Sequence, residues 1–194
     1  MFDIKPIPRL GLPEIFGTDG TLGLVGQGFP PGTRYPAGPL LASTWNPDRA
    51  MEEGIALGRE ARARGIHEIL GPGVDFYRTA FNGRSHEYIT GEDPFLGAVL
   101  VAAEVDGMQS QKLMATTKHY VCNDQEFNRG PTNDADPTTQ PTINVQVDER
   151  TLREIYLPPF EGAVKLGHTA SIMGAFNKVN GEFACESLFL ITQI

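Results

Sequence analysis

The chain has 194 residues, enough for one domain of moderate size with a real hydrophobic core. Apolar residues make up 40% of it and charged residues 21%, which is an ordinary composition for a globular protein. The formal net charge of -8 argues against a nucleic-acid partner, and no stretch approaches the roughly 20 apolar residues that cross a bilayer. We therefore expect neither a nucleic acid nor a membrane among the partners.

The cysteines and the N-terminal sequence say little about the compartment. Cys122 and Cys185 give neither a disulfide framework nor the spacing of a metal site, so we expect two free, partly buried thiols. The first residues, MFDIKPIPRLG, contain no apolar segment of the kind that signal peptides carry. The localisation stays open.

The first half of the chain reads as helix, strand and helix. Asn46, followed by a proline, is a helix N-cap, and Gly65 ends that helix. A short apolar run at 66–73 then predicts a buried strand. Asp93, again followed by a proline, caps a second helix whose apolar face we expect to contain Phe95, Leu96, Val99, Leu100 and Ala103.

The pattern continues in the second half. A second buried strand is predicted at 112–119, and the polar, turn-rich segment 130–141 that follows predicts a mobile loop. Residues 142–148 alternate between apolar and polar, as in an exposed strand or the arm of a hairpin. Asp148 caps a third helix through Leu152, Ile155 and Tyr156, which Pro158 and Pro159 should break or restart.

A third buried strand, at 169–176, completes the series and is followed by an Asn-Gly turn at 180–181. Strands that alternate with long loops and helices predict an α/β fold with parallel strands. A doubly wound sheet and a (β/α)8 barrel both fit this pattern. We expect part of a (β/α)8 barrel in which the three strands are parallel and adjacent in chain order.

Charged residues follow the carboxyl ends of these strands, where α/β proteins hold their sites. Lys118 and His119 end the second strand, and Arg84 lies in the loop after the first. A Lys-His pair at a strand end is most often a solvated edge. A Schiff-base lysine and hydrogen-bond donors to a polyhydroxylated ligand are the alternatives, and the pair alone does not decide between them.

Two other stretches have structural explanations of their own. Asp19 lies in FGTDG, where an aspartate commonly bonds to its own backbone in a turn. His86 and Glu87 suggest metal ligands, but no second pair follows at helical spacing, and a charged surface loop explains them as well. We predict no metal and no cofactor.

Six stretches carry a family resemblance: PRLGLPEIFGTDGTLG, YPAGPLLASTWNP, LGPGVDFYRTAFNGRSHEYITGEDPFL, KHYVCNDQEFNR, VDERTLREIYLPPFEGAV and FNKVNGEFACES. In these stretches, which cover nearly all 194 residues and occur in the family's order, the chain resembles the N-terminal domain of family 3 glycoside hydrolases, the β-glucosidase and β-xylosidase group. The resemblance implies a barrel domain over residues 1–194 that is truncated at both ends, and a glycoside or oligosaccharide as substrate.

The resemblance also implies roles for particular residues. The sugar-hydroxyl ligands would be Asp19, Arg84, Lys118, His119 and Arg129, and Met173 would be a wall residue of the same pocket. Charged groups suit this task because their hydrogen bonds contribute roughly 1.5–3 kcal/mol each. The chain departs from the family at Phe176, where a tyrosine is usual, and at 89–91, where Ile-Thr-Gly replaces an aromatic residue and a serine.

The family's retaining mechanism needs a nucleophilic aspartate and an acid/base carboxyl. The nucleophile lies in a Ser-Asp-Trp-like motif beyond the Asn-Gly turn, and the acid/base residue usually comes from a later domain; the sequence contains no such motif. We therefore expect no catalytic residue in this chain, which would carry the sugar-binding part of an exo-acting β-glycosidase and be inactive alone. A non-catalytic carbohydrate-binding or degenerate protein is the alternative. The oligomeric state stays open.

Overall fold

The computed structural model of the chain describes residues 2–25, 32–130 and 142–194. The predicted loop at 130–141 lies, apart from Gly130, outside the described residues. The described strands are β1 (Phe2–Ile4), β2 (Ile15–Asp19), β3 (Glu68–Leu70), β4 (Met114–Tyr120), β5 (Asn144–Val145), β6 (Ser171–Gly174), β7 (Lys178–Val179) and β8 (Glu182–Phe183). The described α-helices are α1 (Gly38–Ala42), α2 (Pro47–Ala63), α3 (Pro94–Ser110), α4 (Glu149–Thr151) and α5 (Pro158–Lys165). Two 3₁₀ turns (Pro8–Leu10 and Ser85–Glu87) and two π-helical turns (Leu152–Tyr156 and Phe189–Gln193) complete the described helical elements.

The main sheet has the strand order β1-β2-β3-β4-β6. Strands β2, β3, β4 and β6 are parallel, and β1 pairs antiparallel with the outer side of β2. The prediction that the strands near 66–73, 112–119 and 169–176 are parallel neighbours in chain order is confirmed. A doubly wound sheet would reverse its strand order at a switch point, and the described sheet contains no such reversal.

The predicted helix starts are confirmed by their capping hydrogen bonds. The side chain of Asn46 accepts from the backbone N–H of Asp48 at 2.9 Å, and that of Asp93 accepts from Phe95 at 2.9 Å. Asp148 accepts from the backbone N–H of Thr151 at 2.9 Å. The helix that it caps passes into a π-helical turn and starts again as α5 at Pro158, as the two prolines predict.

The predicted apolar face of α3 is partly wrong. Leu100 is fully buried, but Phe95 is 75% exposed, and the buried side chains include Val101, Val105 and Met108 instead. Two helices pack closely against α3. A Cβ added to Gly54 of α2 would lie 2.2 Å from the carbonyl oxygen of Glu104 in α3. A Cβ added to Gly162 of α5 would lie 2.5 Å from the carbonyl oxygen of Ala98 in α3. Because two helices and the sheet cover α3, its buried surface is not a single stripe.

Short strands form a second sheet near the C-terminal end of the described residues. Strand β5 pairs in parallel with β7, and β7 pairs antiparallel with β8 across Asn180 and Gly181, both with positive φ. The Asn-Gly turn is therefore confirmed. The 142–148 segment forms an exposed strand only at β5, and its parallel pairing shows that it is not a hairpin arm.

Both cysteines are free, as expected, but they differ in burial: Cys122 is buried and Cys185 is exposed. No helix in the described ranges is long and apolar enough to span a bilayer.

Candidate substrate-binding site

A cavity of about 590 Å³ opens at the carboxyl ends of the parallel strands. Asp19 ends β2, Lys118 and His119 lie in the last part of β4, and Met173 lies on β6. The loop after β3 adds Arg84, and the loop after β4 adds Arg129. The structure thus brings all six residues predicted from the family resemblance to one cavity. Their role as sugar ligands stays a prediction.

Lys118 lies in the wall of the cavity and is only 2% exposed. Its Nζ is 3.1 Å from Oδ1 of Asp19 and 3.4 Å from Oε2 of Glu87. The ammonium group is thus held between two carboxylates that themselves line the cavity. In this arrangement Lys118 is an ion-pair donor.

The charges continue beyond Lys118 as a row of alternating sign. Glu87 also pairs with Nε of Arg84, whose Nη1 is 3.7 Å from Glu126, and Glu126 is 3.0 Å from Nε of Arg129. We call this row the ion-pair chain; in spatial order it consists of Asp19, Lys118, Glu87, Arg84, Glu126 and Arg129. All six of its members line the cavity. It connects β2, β4 and the loops that follow β3 and β4.

The ion-pair chain controls the ionisation of its central pair. Burial alone would raise the pKa of Glu87, but the hydrogen bond from Arg84 and the charge of Lys118 outweigh it and lower that pKa. Burial would lower the pKa of Arg84, but the hydrogen bond to Glu87 and the charges of Glu87 and Glu126 raise it above its ordinary value. Glu87 is therefore an ionised acceptor, and it was missed in the sequence as a site residue.

His119 is held by a buried aspartate that the sequence analysis also missed. Its Nδ1 lies 2.8 Å from Oδ2 of Asp75, and its backbone N–H donates to the same oxygen at 3.0 Å. The other carboxylate oxygen of Asp75 accepts from the backbone N–H of Asn123 at 3.3 Å. The ring of Tyr88 meets the imidazole edge to face, with 6.2 Å between centroids. Loops after β3 and β4 thus fix the imidazole together.

The rim of the cavity is apolar and aromatic on the side of β6. Arg129 lies over the ring of Phe176, with 5.3 Å from Cζ to the ring centroid, and Met173 lines the same side. This contact gives the Arg129 guanidinium a second support beside Glu126. Phe176 itself has no hydroxyl to offer the cavity.

The other departure from the family concerns residues 89–91. Ile89 is buried in the core, and the hydroxyl of Thr90 donates to the carbonyl oxygen of Val74 at 2.8 Å. Neither residue lines the cavity; the loop reaches it through Arg84, His86 and Glu87. Among the described residues, no group of three or more histidine, cysteine, aspartate and glutamate side chains could hold a metal ion.

The family model for the glycosyl hydrolase family 3 N terminal domain matches residues 4–194. The chain belongs to glycosyl hydrolase family 3. A β-glucosidase from Rhizobium radiobacter is 40% identical over 192 residues, which are 97% of this chain and 22% of that protein. A β-glucosidase from Bacteroides ovatus is 41% identical over 204 residues, covering 100% of this chain and 26% of that protein. The chain therefore spans about a quarter of the length of these family 3 relatives.

A solved family 3 structure has the same fold. The β-glucosidase DesR from Streptomyces venezuelae, crystallised with D-glucose, superimposes with a TM-score of 0.88 at 36% identity. The match covers 98% of this chain and 23% of that one. The predicted fold class, an α/β fold that forms part of a (β/α)8 barrel, is confirmed.

Proposed function

We propose that this chain supplies the sugar-binding wall of the active site of a retaining, exo-acting β-glucosidase. In this proposal the nucleophile and the acid/base carboxyl come from other parts of a longer enzyme, of which residues 1–194 are part of the N-terminal barrel domain. The substrate is a glycoside or oligosaccharide with a β-linked sugar at its non-reducing end.

The observation that carries the proposal is the ion-pair chain in a cavity at the carboxyl ends of parallel strands. A sugar ring presents several hydroxyl groups, each of which both donates and accepts a hydrogen bond. The ion-pair chain offers carboxylate acceptors and cationic donors in alternation, which are the two kinds of partner that sugar hydroxyls need. The sugar named in the DesR structure and the β-glucosidase relatives favour glucose over other hexoses or xylose.

Direct titration of the 194-residue chain with D-glucose, followed by NMR, tests the binding role. Lys118→Met removes the ammonium and keeps the length of the side chain, and we expect the affinity to fall about ten- to a hundredfold, the value of one charged hydrogen bond. The matched control is Lys165→Met, because Lys165 pairs with Glu161 on the exposed surface of α5. Equal affinities of Lys118→Met and the native chain, both correctly folded by circular dichroism, would contradict the proposal.

A further inference from the structure

Asp75 is a buried acid that does not itself line the cavity but contacts His119, which does. Its side chain is 0% exposed and makes three contacts, all of them to residues of β4 or of the loop that follows it. Two are to backbone N–H groups, of His119 and Asn123, and the third is to the His119 ring. The third contact links this buried carboxylate to a residue that lines the cavity.

The contact with the ring determines where the imidazole carries its proton. A carboxylate that already accepts from two backbone N–H groups presents only lone pairs, so at 2.8 Å the His119 nitrogen must be the donor. The competing contact is weaker: the side-chain amide of Asn123 could donate to the same nitrogen, but it lies at 3.4 Å and carries no charge. Nδ1 therefore holds the proton.

The other ring nitrogen remains for a ligand. Within the described residues, Nε2 of His119 has no hydrogen-bond partner, and it is not among the fully buried polar atoms that lack one. His119 lines the cavity together with Arg84 and Arg129. With the proton on Nδ1, Nε2 of a neutral imidazole carries a lone pair that can accept a hydrogen bond.

We propose that Asp75 is a positioning residue of the sugar site: it fixes His119 in the tautomer protonated on Nδ1, so that Nε2 accepts a hydrogen bond from a sugar hydroxyl. The inference rests on the proposed function for its ligand, but the tautomer itself is a property of the free protein. Lys118 on the same strand can only donate, so β4 offers a donor and an acceptor at adjacent residues.

The tautomer is measured first, without sugar. The measurement is ¹⁵N NMR of the 194-residue chain with ¹⁵N-labelled histidine, at a pH where the ring is neutral. Nδ1 of His119 should have the ¹⁵N chemical shift of a protonated ring nitrogen, and Nε2 that of an unprotonated one. His119→Gln identifies these signals among the four histidines. A bare Nδ1 with a protonated Nε2 would overturn the proposal, whether or not glucose binds.

The second measurement uses Asp75→Asn, which keeps the shape of the side chain. Whichever way the amide is turned, its NH2 group faces a donor, either the backbone of Asn123 or that of His119. We expect the folded variant to lose the single Nδ1-protonated form or its fixed orientation, seen as shifted or doubled His119 ring signals, and to bind D-glucose at least about tenfold more weakly. Unchanged ring signals and unchanged affinity would overturn the proposal.

Asp93→Asn is the matched control. Asp93 also accepts two backbone N–H groups, of Phe95 and Leu96, but contacts no ring. Its loss should lower the stability of α3 and leave the His119 signals and glucose affinity unchanged. If the native chain shows the expected tautomer but binds no glucose, the sugar-binding function fails while the assignment of the proton stands.

Discussion

At the scale of single residues, Lys118 shows how the site combines burial with charge. It is nearly inaccessible, yet its ammonium is shared between Asp19 and Glu87 at the wall of the cavity. In the longer β-glucosidase that we propose, Lys118→Ala should lower kcat/KM for an aryl β-glucoside about a hundredfold, which corresponds to about 3 kcal/mol for a lost charged hydrogen bond. Steady-state kinetics measure kcat/KM, with Lys165→Ala as the control. An unchanged kcat/KM in Lys118→Ala would contradict the role assigned to Lys118.

Some residues of the cavity could be predicted from the sequence, and others could not. The six residues taken from the family motifs do converge on the cavity, because each lies near the carboxyl end of a parallel strand or in the loop that follows it. Glu87, Glu126 and Asp75 were missed as site residues. The first two stand three residues after Arg84 and three before Arg129, a spacing that could have suggested ion pairs. Asp75 pairs with a histidine 44 positions away, and nothing local in the sequence indicates such a contact.

At the scale of elements, the strands and helices with strong local patterns were predicted, and β2 was not. Ile15–Asp19 supplies only two apolar side chains before a glycine, a threonine and an aspartate, so it resembled the start of a turn. It is a strand because β1 and β3 pair with it on both sides. Tertiary pairing thus decided what local propensity left open.

The contact between α2 and α3 gives a prediction whose sign is unusual. Alanine in place of a helical glycine normally stabilises by up to about 1 kcal/mol. A Cβ at position 54, however, would lie 2.2 Å from the carbonyl oxygen of Glu104 and 3.0 Å from the backbone nitrogen of Met108. We expect Gly54→Ala to lower the free energy of unfolding by about 1–3 kcal/mol, as overpacking does. Urea denaturation checks this, and a stabilised variant would mean that the helices can separate without cost.

The same pair of helices should make stability depend on pH. Burial raises the pKa of Glu53 on α2 to about 7, above its ordinary value of 4.5. The folded state binds this proton more tightly than the unfolded chain does. Protonated Glu53 therefore contributes fully to the free energy of unfolding below about pH 4.5, and this contribution is lost as the pH rises toward 7. Glu53→Gln removes the effect, so the stability of the variant relative to the native chain should rise across that interval.

Glu52→Gln serves as the control for this pH dependence. Glu52 is the neighbouring residue on α2 but is exposed and pairs with Arg49. Denaturation curves at several pH values should therefore show that the free energy of unfolding of this variant changes with pH as it does in the native chain. If the stability of Glu53→Gln also keeps the pH dependence of the native chain, Glu53 is solvated in the folded protein.

At the scale of the whole molecule, we predict that the 194-residue chain hydrolyses no aryl β-glucoside. A retaining glycosidase needs two carboxyls about 5–5.5 Å apart, one of them free to attack. The candidates here have other tasks: Glu87 pairs with two cations, Asp93 caps α3, and burial together with the charge of Asp75 raises the pKa of Asp124 to about 8. Release of nitrophenol is the assay. Turnover lost on mutation of one of these acids would show that the chain does carry catalytic groups.

The ion-pair chain affects the entropy cost and the rates of ligand binding. Its links tie β2, β4 and two separate loops together before any ligand is present, so these walls need not be ordered by the ligand. Binding then loses little conformational entropy in the protein, which leaves more of the interaction energy available as affinity. For these walls, association should follow the rate of diffusion into an open site, with discrimination between epimers expressed in how fast each sugar leaves.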